Sequence, residues 1–182
     1  TSFQRAEILS ARYVSNPGCY ATGFLTAITP LITAGVLPVS ATICINAISG
    51  FSGGGRQLIE KYEAFDKSHP VRPYSLALKH KHVPEMQKYS GLSKAPIFLP
   101  SVANFYKGMI VRVPIAIEML NQCSVDTVVN CLKQRYENNH FIRIYDYNVQ
   151  LALEDSRLNP IACNDTNFMD LMIFGNAKQS FC

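Results

Sequence analysis

The sequence predicts an α+β fold, with a mixed, largely antiparallel sheet and helices on one face. Three observations carry this. Apolar residues recur at helical spacing in some segments and form short β-rich runs in others. The two kinds of segment alternate along the chain without an internal repeat, linker or low-complexity stretch. The chain has 182 residues, 48% hydrophobic and 16% charged, which is enough for one domain with a substantial core. Residues 1–182 are therefore read as a single domain.

The elements follow in order. Ala11 to Ser15 reads as extended, and Pro17-Gly18 forces a turn. Phe24, Leu25, Ala27, Ile28, Leu31 and Ile32 then fall at helical spacing, so a helix opens at Cys19. Thr42 to Ser49 is apolar and β-rich, a buried strand. Phe51 to Gly55 is a glycine loop, and Arg56 to Phe65 a helix. Pro73 to Leu78 reads as extended. Pro84 suits a first helical position and starts a short helix ending near Gly91. Ile97 to Val102 and Met109 to Ile117 are strands separated by a turn at Lys107-Gly108. Ser124 is an N-cap for a helix to about Glu137, with Val125, Val128, Val129 and Leu132 on one face. Phe141 to Tyr147 and Phe168 to Phe174 complete the strands.

Composition narrows the function. A net charge of +4 without a long basic block argues against nucleic acid and suits a small anionic substrate. The longest apolar stretches carry Thr, Ser, Asn or Pro every few residues, so none reads as a membrane span, and the N-terminus lacks a signal peptide's apolar stretch. None of the six cysteines forms a Cys-x-x-Cys pair, which argues against a zinc site. A reducing, cytoplasmic setting follows, with most cysteines as core filler.

Three clusters carry chemistry. In Asn16-Pro17-Gly18-Cys19-Tyr20-Ala21-Thr22-Gly23 the cysteine falls at a helix N-terminus, among unpaired N–H groups and the positive end of the helix dipole. A thiolate there can attack a carbonyl, and the N–H groups can hold the oxyanion. Cysteine is also a small hydrophobe that is often simply buried, and on these residues alone both readings stand. In His80-Lys81-His82-Val83-Pro84-Glu85, His82 is a candidate acid–base group and Glu85 could orient it or bind a polar group. His80 and His82 would point the same way along an extended segment, but no third clear ligand supports a metal; a solvated charged turn is the plain alternative. In Ser49-Gly50-Phe51-Ser52-Gly53-Gly54-Gly55-Arg56, glycines let backbone N–H groups approach an anion and Arg56 adds a fixed charge. The loop lacks the P-loop ending and the dinucleotide fingerprint, and a flexible turn explains it equally well.

Taken together, the clusters resemble the N-acetyl-gamma-glutamyl-phosphate reductases of arginine biosynthesis. The motifs run in order: Asn-Pro-Gly-Cys-Tyr-Ala-Thr-Gly, with Pro30 closing that helix segment; Ser-Gly-Gly-Gly-Arg; Tyr74 followed by His80-Lys81-His82-x-x-Glu85; Pro100-Ser101-Val102-x-Asn104-Phe105; Lys107-Gly108-Met109; and Phe174-Gly175-Asn176. The resemblance covers essentially the whole chain, and the cysteine motif is its most specific part. It implies the C-terminal catalytic domain of glyceraldehyde-3-phosphate-dehydrogenase-like reductases, a catalytic and oligomerisation domain that forms a homo-oligomer. It implies Cys19 as nucleophile toward an acyl phosphate, a thioacyl intermediate, and reduction by NADPH to the semialdehyde. It implies His82 as the acid–base residue, Arg56, Tyr74, His80 and Glu85 as substrate-binding residues, and Gly53, Gly54 and Gly55 facing the cofactor or substrate phosphate.

Such reductases also carry a dinucleotide-binding domain with a glycine fingerprint, and this chain shows none. The isolated chain is therefore expected to be inactive as a reductase, with no tightly bound NADP. Competing readings are an aspartate-semialdehyde dehydrogenase-like domain with the same thioacyl chemistry, a non-redox cysteine acyltransferase or hydrolase, and a non-catalytic interaction domain.

Overall fold

The computed structural model of the chain describes residues 2–64, 69–150, 153–176 and 178–182. A helix that the sequence reading did not anticipate, α1 (Ser2–Ser10), comes first. Residues 11–15 follow without forming a strand. Helix α2 (Cys19–Thr33) opens where the Pro-Gly turn predicted, and buries Tyr20, Ala21, Phe24, Ile28 and Leu31.

Pro30 does not close α2; the helix continues one turn beyond it. A proline lacks the N–H that would bond the carbonyl four residues back. Here that carbonyl, of Thr26, accepts instead from the Tyr136 hydroxyl at 2.8 Å. The break is repaired from another helix, α5 (Val125–Tyr136).

The main sheet contains β1 (Cys44–Gly50), β2 (Val71–Pro73), β3 (Ile97–Ala103) and β4 (Met109–Arg112), in the order β2-β3-β1-β4. β1 and β3 pair in parallel from Cys44↔Ile97 to Gly50↔Ala103. β4 is antiparallel to β1, and β2 antiparallel to β3. β3 and β4 are therefore not partners across the Lys107-Gly108 turn; β1 lies between them. The extended segment expected at Pro73 to Leu78 is displaced. Pairing occupies Val71–Pro73, and the chain then turns, with left-handed backbone at Ser75 and Leu78.

Helix α3 (Arg56–Ala64) follows a short 3-10 turn, Phe51–Gly54; the last residue of the predicted helix, Phe65, lies outside the described residues. α4 (Val83–Ser90) packs on α2, and so does α5, whose start is capped by the Ser124 side chain accepting from the Thr127 N–H at 3.3 Å. The strand expected from Met109 to Ile117 is broken before Pro114. Its second part, β5 (Ile115–Ala116), joins a separate antiparallel sheet with β8 (Gly175–Asn176) and β9 (Ser180–Phe181). β6 (Ile142–Ile144) and β7 (Met169–Leu171) are shorter than expected and form a parallel pair of their own.

The core lies between the inner face of the main sheet and α2, α4 and α5. Ile45, Ala47 and Phe98 share one buried cluster with Phe24, Ile28, Leu31, Met86 and Val128. Among the described residues no helix is long and apolar enough to cross a membrane.

Candidate active site

Cys19 is the first residue of α2. Gly18 before it is extended (φ −61°, ψ 146°) and supplies no side-chain cap, so the N–H groups of the first turn lack an intrahelical partner. The C-terminal end of β1 meets this helix start. Cys19, Ser49, Gly50, Ser52, Gly53, Gly108 and Met109 line a cleft of about 230 Å³. Openings at the carboxyl ends of parallel strands are where ligands commonly bind in sheets of this kind.

The histidine cluster joins from α4. A Cβ placed on Gly18 would lie 2.3 Å from Nε2 of His82, so glycine alone lets the imidazole rest against the backbone one residue before Cys19. Glu85, in the first turn of α4, accepts from the Gly18 N–H through both carboxylate oxygens at 3.2 Å. The cysteine loop and the histidine helix are thus tied at one point. His80 Nδ1 accepts from the His82 backbone N–H at 3.1 Å, which leaves the proton of a neutral His80 on Nε2. The His80 ring stands edge-on to Tyr20, Tyr74 and Phe98.

Burial pushes both imidazoles below the usual histidine range. The neighbouring His82 and Lys81 lower His80 further, while Glu85 opposes the shift at His82 and Lys81 adds to it. A neutral imidazole beside Cys19 can take up a proton. Nδ1 of His82 is buried without a hydrogen-bond partner among the described residues.

The tyrosines form a chain of hydroxyls. Tyr74 O–H donates to the Tyr20 hydroxyl at 3.4 Å, and Tyr20 O–H donates to Ser49 Oγ at 2.8 Å. Burial is the main cause pushing both phenols above the usual tyrosine range, so both remain protonated at neutral pH.

The glycine loop divides. Gly53 lines the cleft. A Cβ on Gly54 would meet Leu58 Cδ2 at 2.4 Å, and Gly55 takes a left-handed φ of +75°, so these two shape the turn into α3. Arg56 points away: its side chain is 91% exposed and Nε donates to Glu60 at 2.7 Å on its own helix. The structure therefore gathers Cys19, Tyr74, His80, His82, Glu85 and Gly53 around one end of α2 and does not bring Arg56 to the cleft.

The sequence reading passed over Tyr20 and Ser49. Both stand in the cysteine and glycine motifs, where the sequence reading gave neither of them a role. The six cysteines are free thiols, with Cys19 and Cys182 exposed and the other four half-buried. Burial pushes the thiols of Cys131 and Cys163 up.

The chain is similar to known proteins over most of its length. Residues 19–181 match the family model described as semialdehyde dehydrogenase, dimerisation domain. Two N-acetyl-gamma-glutamyl-phosphate reductases are similar across 95% of the chain: one from Nostoc sp. at 41% identity and one from Allorhizobium ampelinum at 42%. The chain spans 56% and 57% of the lengths of these relatives. Aspartate semialdehyde dehydrogenase from Francisella tularensis superposes with a TM-score of 0.61 at 11% identity, over 89% of this chain and 57% of that one. The type II enzyme from Vibrio cholerae gives 0.62 at 14%, over 97% and 57%. At such identities these two structures establish the shared α+β fold.

Proposed function

The chain belongs to the semialdehyde dehydrogenase dimerisation-domain family, and on that premise we propose that it is the catalytic and dimerisation part of an N-acetyl-gamma-glutamyl-phosphate reductase. The observation that carries this reading is the His82 imidazole resting on Gly18, beside Cys19 at the start of α2. In this reading the Cys19 sulfur attacks the carbonyl carbon of the acyl phosphate. A C–S bond forms, the C–O bond to phosphate breaks, and phosphate leaves with the bonding electrons. The first-turn N–H groups of α2 and the uncapped helix start stabilise the oxygen charge that develops. His82, held neutral by burial, takes the thiol proton and returns one to the departing phosphate. The nicotinamide cofactor NADPH, when bound, supplies the hydride that reduces the thioester; expulsion of the Cys19 thiolate then releases the semialdehyde.

Gly53 is the residue of the glycine loop that lines the cleft and would face the cofactor. Tyr74 and His80 flank the site as substrate-binding candidates. Glu85 is engaged with the Gly18 N–H, so its contribution is to hold the loop. Dinucleotide binding is assigned to a separate domain of the full-length protein, and the six free thiols suit a reducing cytoplasm.

Two copies of the chain would cover the outer sheet face. Ile97, Leu99 and Val71 stand 39%, 44% and 50% exposed there, an apolar surface that a two-fold partner would bury. The decisive experiment uses the full-length protein. NADPH-dependent reduction of N-acetyl-gamma-glutamyl phosphate is expected, together with preferential alkylation of Cys19 at neutral pH. Cys19→Ser should lower turnover by roughly a thousandfold or more, as for loss of a nucleophile elsewhere. Retained activity in that variant, or first labelling at Cys44 or Cys131, would overturn the covalent reading.

A further inference from the structure

We infer that Ser49 is a further substrate-contacting catalytic residue, donating its hydroxyl proton to the carbonyl oxygen of the acyl group under attack by Cys19; this rests on the proposed acyl-phosphate chemistry. The argument begins with the direction of the hydroxyl chain. A hydroxyl has one proton and two acceptor lone pairs. Tyr74 donates to Tyr20 and Tyr20 donates to Ser49, at 3.4 and 2.8 Å. Tyr20 O–H also lies 3.4 Å from the Ser101 carbonyl, so the bond to Ser49 Oγ is the shorter of its two; with the Tyr20 proton on that bond, the proton of Ser49 points elsewhere.

No acceptor for that proton is found among the described residues. Ser49 lines the cleft shared with Cys19, and its Oγ faces Gly53 across it, 3.7 Å from where a Cβ on that glycine would stand. The free proton is therefore presented to whatever occupies the cleft. The reacting carbonyl carbon must approach the Cys19 sulfur to bonding distance, which places its oxygen in the same small space. A hydroxyl held by a buried tyrosine (Tyr20 is 3% exposed) is ordered before the substrate arrives, the condition under which a single donor acts most strongly on a developing oxyanion. The buried phenols stay protonated, so both tyrosine hydroxyls remain donors at neutral pH. Ser49 also occupies the last inward position of β1 before Gly50, where the pairing with β3 and β4 holds the backbone still.

The test compares Ser49→Ala and Ser49→Thr with wild type in the full-length protein. It measures kcat and KM for the acyl phosphate and the rate of Cys19 alkylation by iodoacetamide. Ser49→Ala should lower kcat on the order of a hundredfold, as for loss of one oxyanion donor, with KM within about twofold. Its alkylation rate should match wild type, showing that fold and nucleophile persist. Ser49→Thr, which restores a hydroxyl, should recover most of kcat. Unchanged kcat in Ser49→Ala, a rise in KM alone, or equal loss in both variants would overturn the assignment. A wild-type protein with a reactive Cys19 but no reduction of the acyl phosphate would instead sink the functional reading, and the donor role with it.

Discussion

Phe98 and Leu99 are neighbours on β3, yet one is 1% exposed and the other 44%. They stand for the two faces of the same sheet. The inner face meets α2, α4 and α5, and its burial sets the height and direction of α2, hence where Cys19 stands. The outer face carries Ile97, Leu99 and Val71, each more than a third exposed. Fully burying a side chain of this kind is worth about 1.5–3 kcal/mol, so the outer face holds stabilisation that only a partner can supply. The contrast separates the two tasks. The packed face positions the chemistry, and the open face is suited to assembly.

Breaking the inner side should have the larger effect. His82→Asn keeps a polar group on Gly18 but removes the proton acceptor. Turnover of the full-length protein should fall roughly a hundredfold, the usual range for an acid–base group, while self-association is unchanged. Steady-state kinetics beside sedimentation velocity would check both halves, and near-wild-type turnover would remove His82 from the mechanism.

A charge on the outer side should do the reverse. Leu99→Arg places a cation on each copy at the centre of the apolar face. Self-association should weaken at least about tenfold, since a like-charge pair buried without partners costs more than a factor of ten in affinity. Alkylation of Cys19 should proceed at the wild-type rate. An unaltered sedimentation profile would mean that assembly uses another surface.

The smallest effect concerns pH. Burial holds His80 and His82 below the usual histidine range. In the unfolded chain these two imidazoles take up protons at about pH 6.5, whereas in the folded chain they do so only at lower pH. Neutral imidazoles therefore contribute fully to stability above about pH 6.5, and that contribution is lost as pH falls through the folded values. Urea midpoints at pH 7.5 and 5.5 should show a decline that is shallower in His82→Asn than in wild type. Identical slopes would place no burial cost on His82.

Much of this site is readable in one dimension. The Pro17-Gly18 turn and the apolar spacing from Phe24 to Ile32 locate the start of α2, because a helix boundary is a local matter of backbone angles and caps. Pro84 and Ser124 mark two further helix starts for the same reason. Pro30 marks the limit of local reasoning. A proline ends a helix unless something else satisfies the orphaned carbonyl, and the hydroxyl that does so, of Tyr136, arrives from more than a hundred residues away. The Met109 to Ile117 segment fails similarly: its pattern is continuous, but its two halves bond to different sheets. Arg56 is the converse, a cation placed by its loop next to the glycines and then drawn outward by Glu60 on the following helical turn.

What the sequence by itself determined is the set of local events: a cysteine at a helix start, a histidine ahead of a proline-initiated helix, a glycine loop after a strand. Each depends on a few neighbouring residues and their backbone preferences. Only the tertiary structure decided that these events share one place. His82 lies against Gly18 and Glu85 holds the Gly18 N–H because α4 packs on α2, while Tyr74, just past β2, reaches Ser49 through Tyr20 because the sheet sets β2 and β1 on either side of β3. That packing arises from apolar burial, which acts between residues distant in the chain and has no short-range signature.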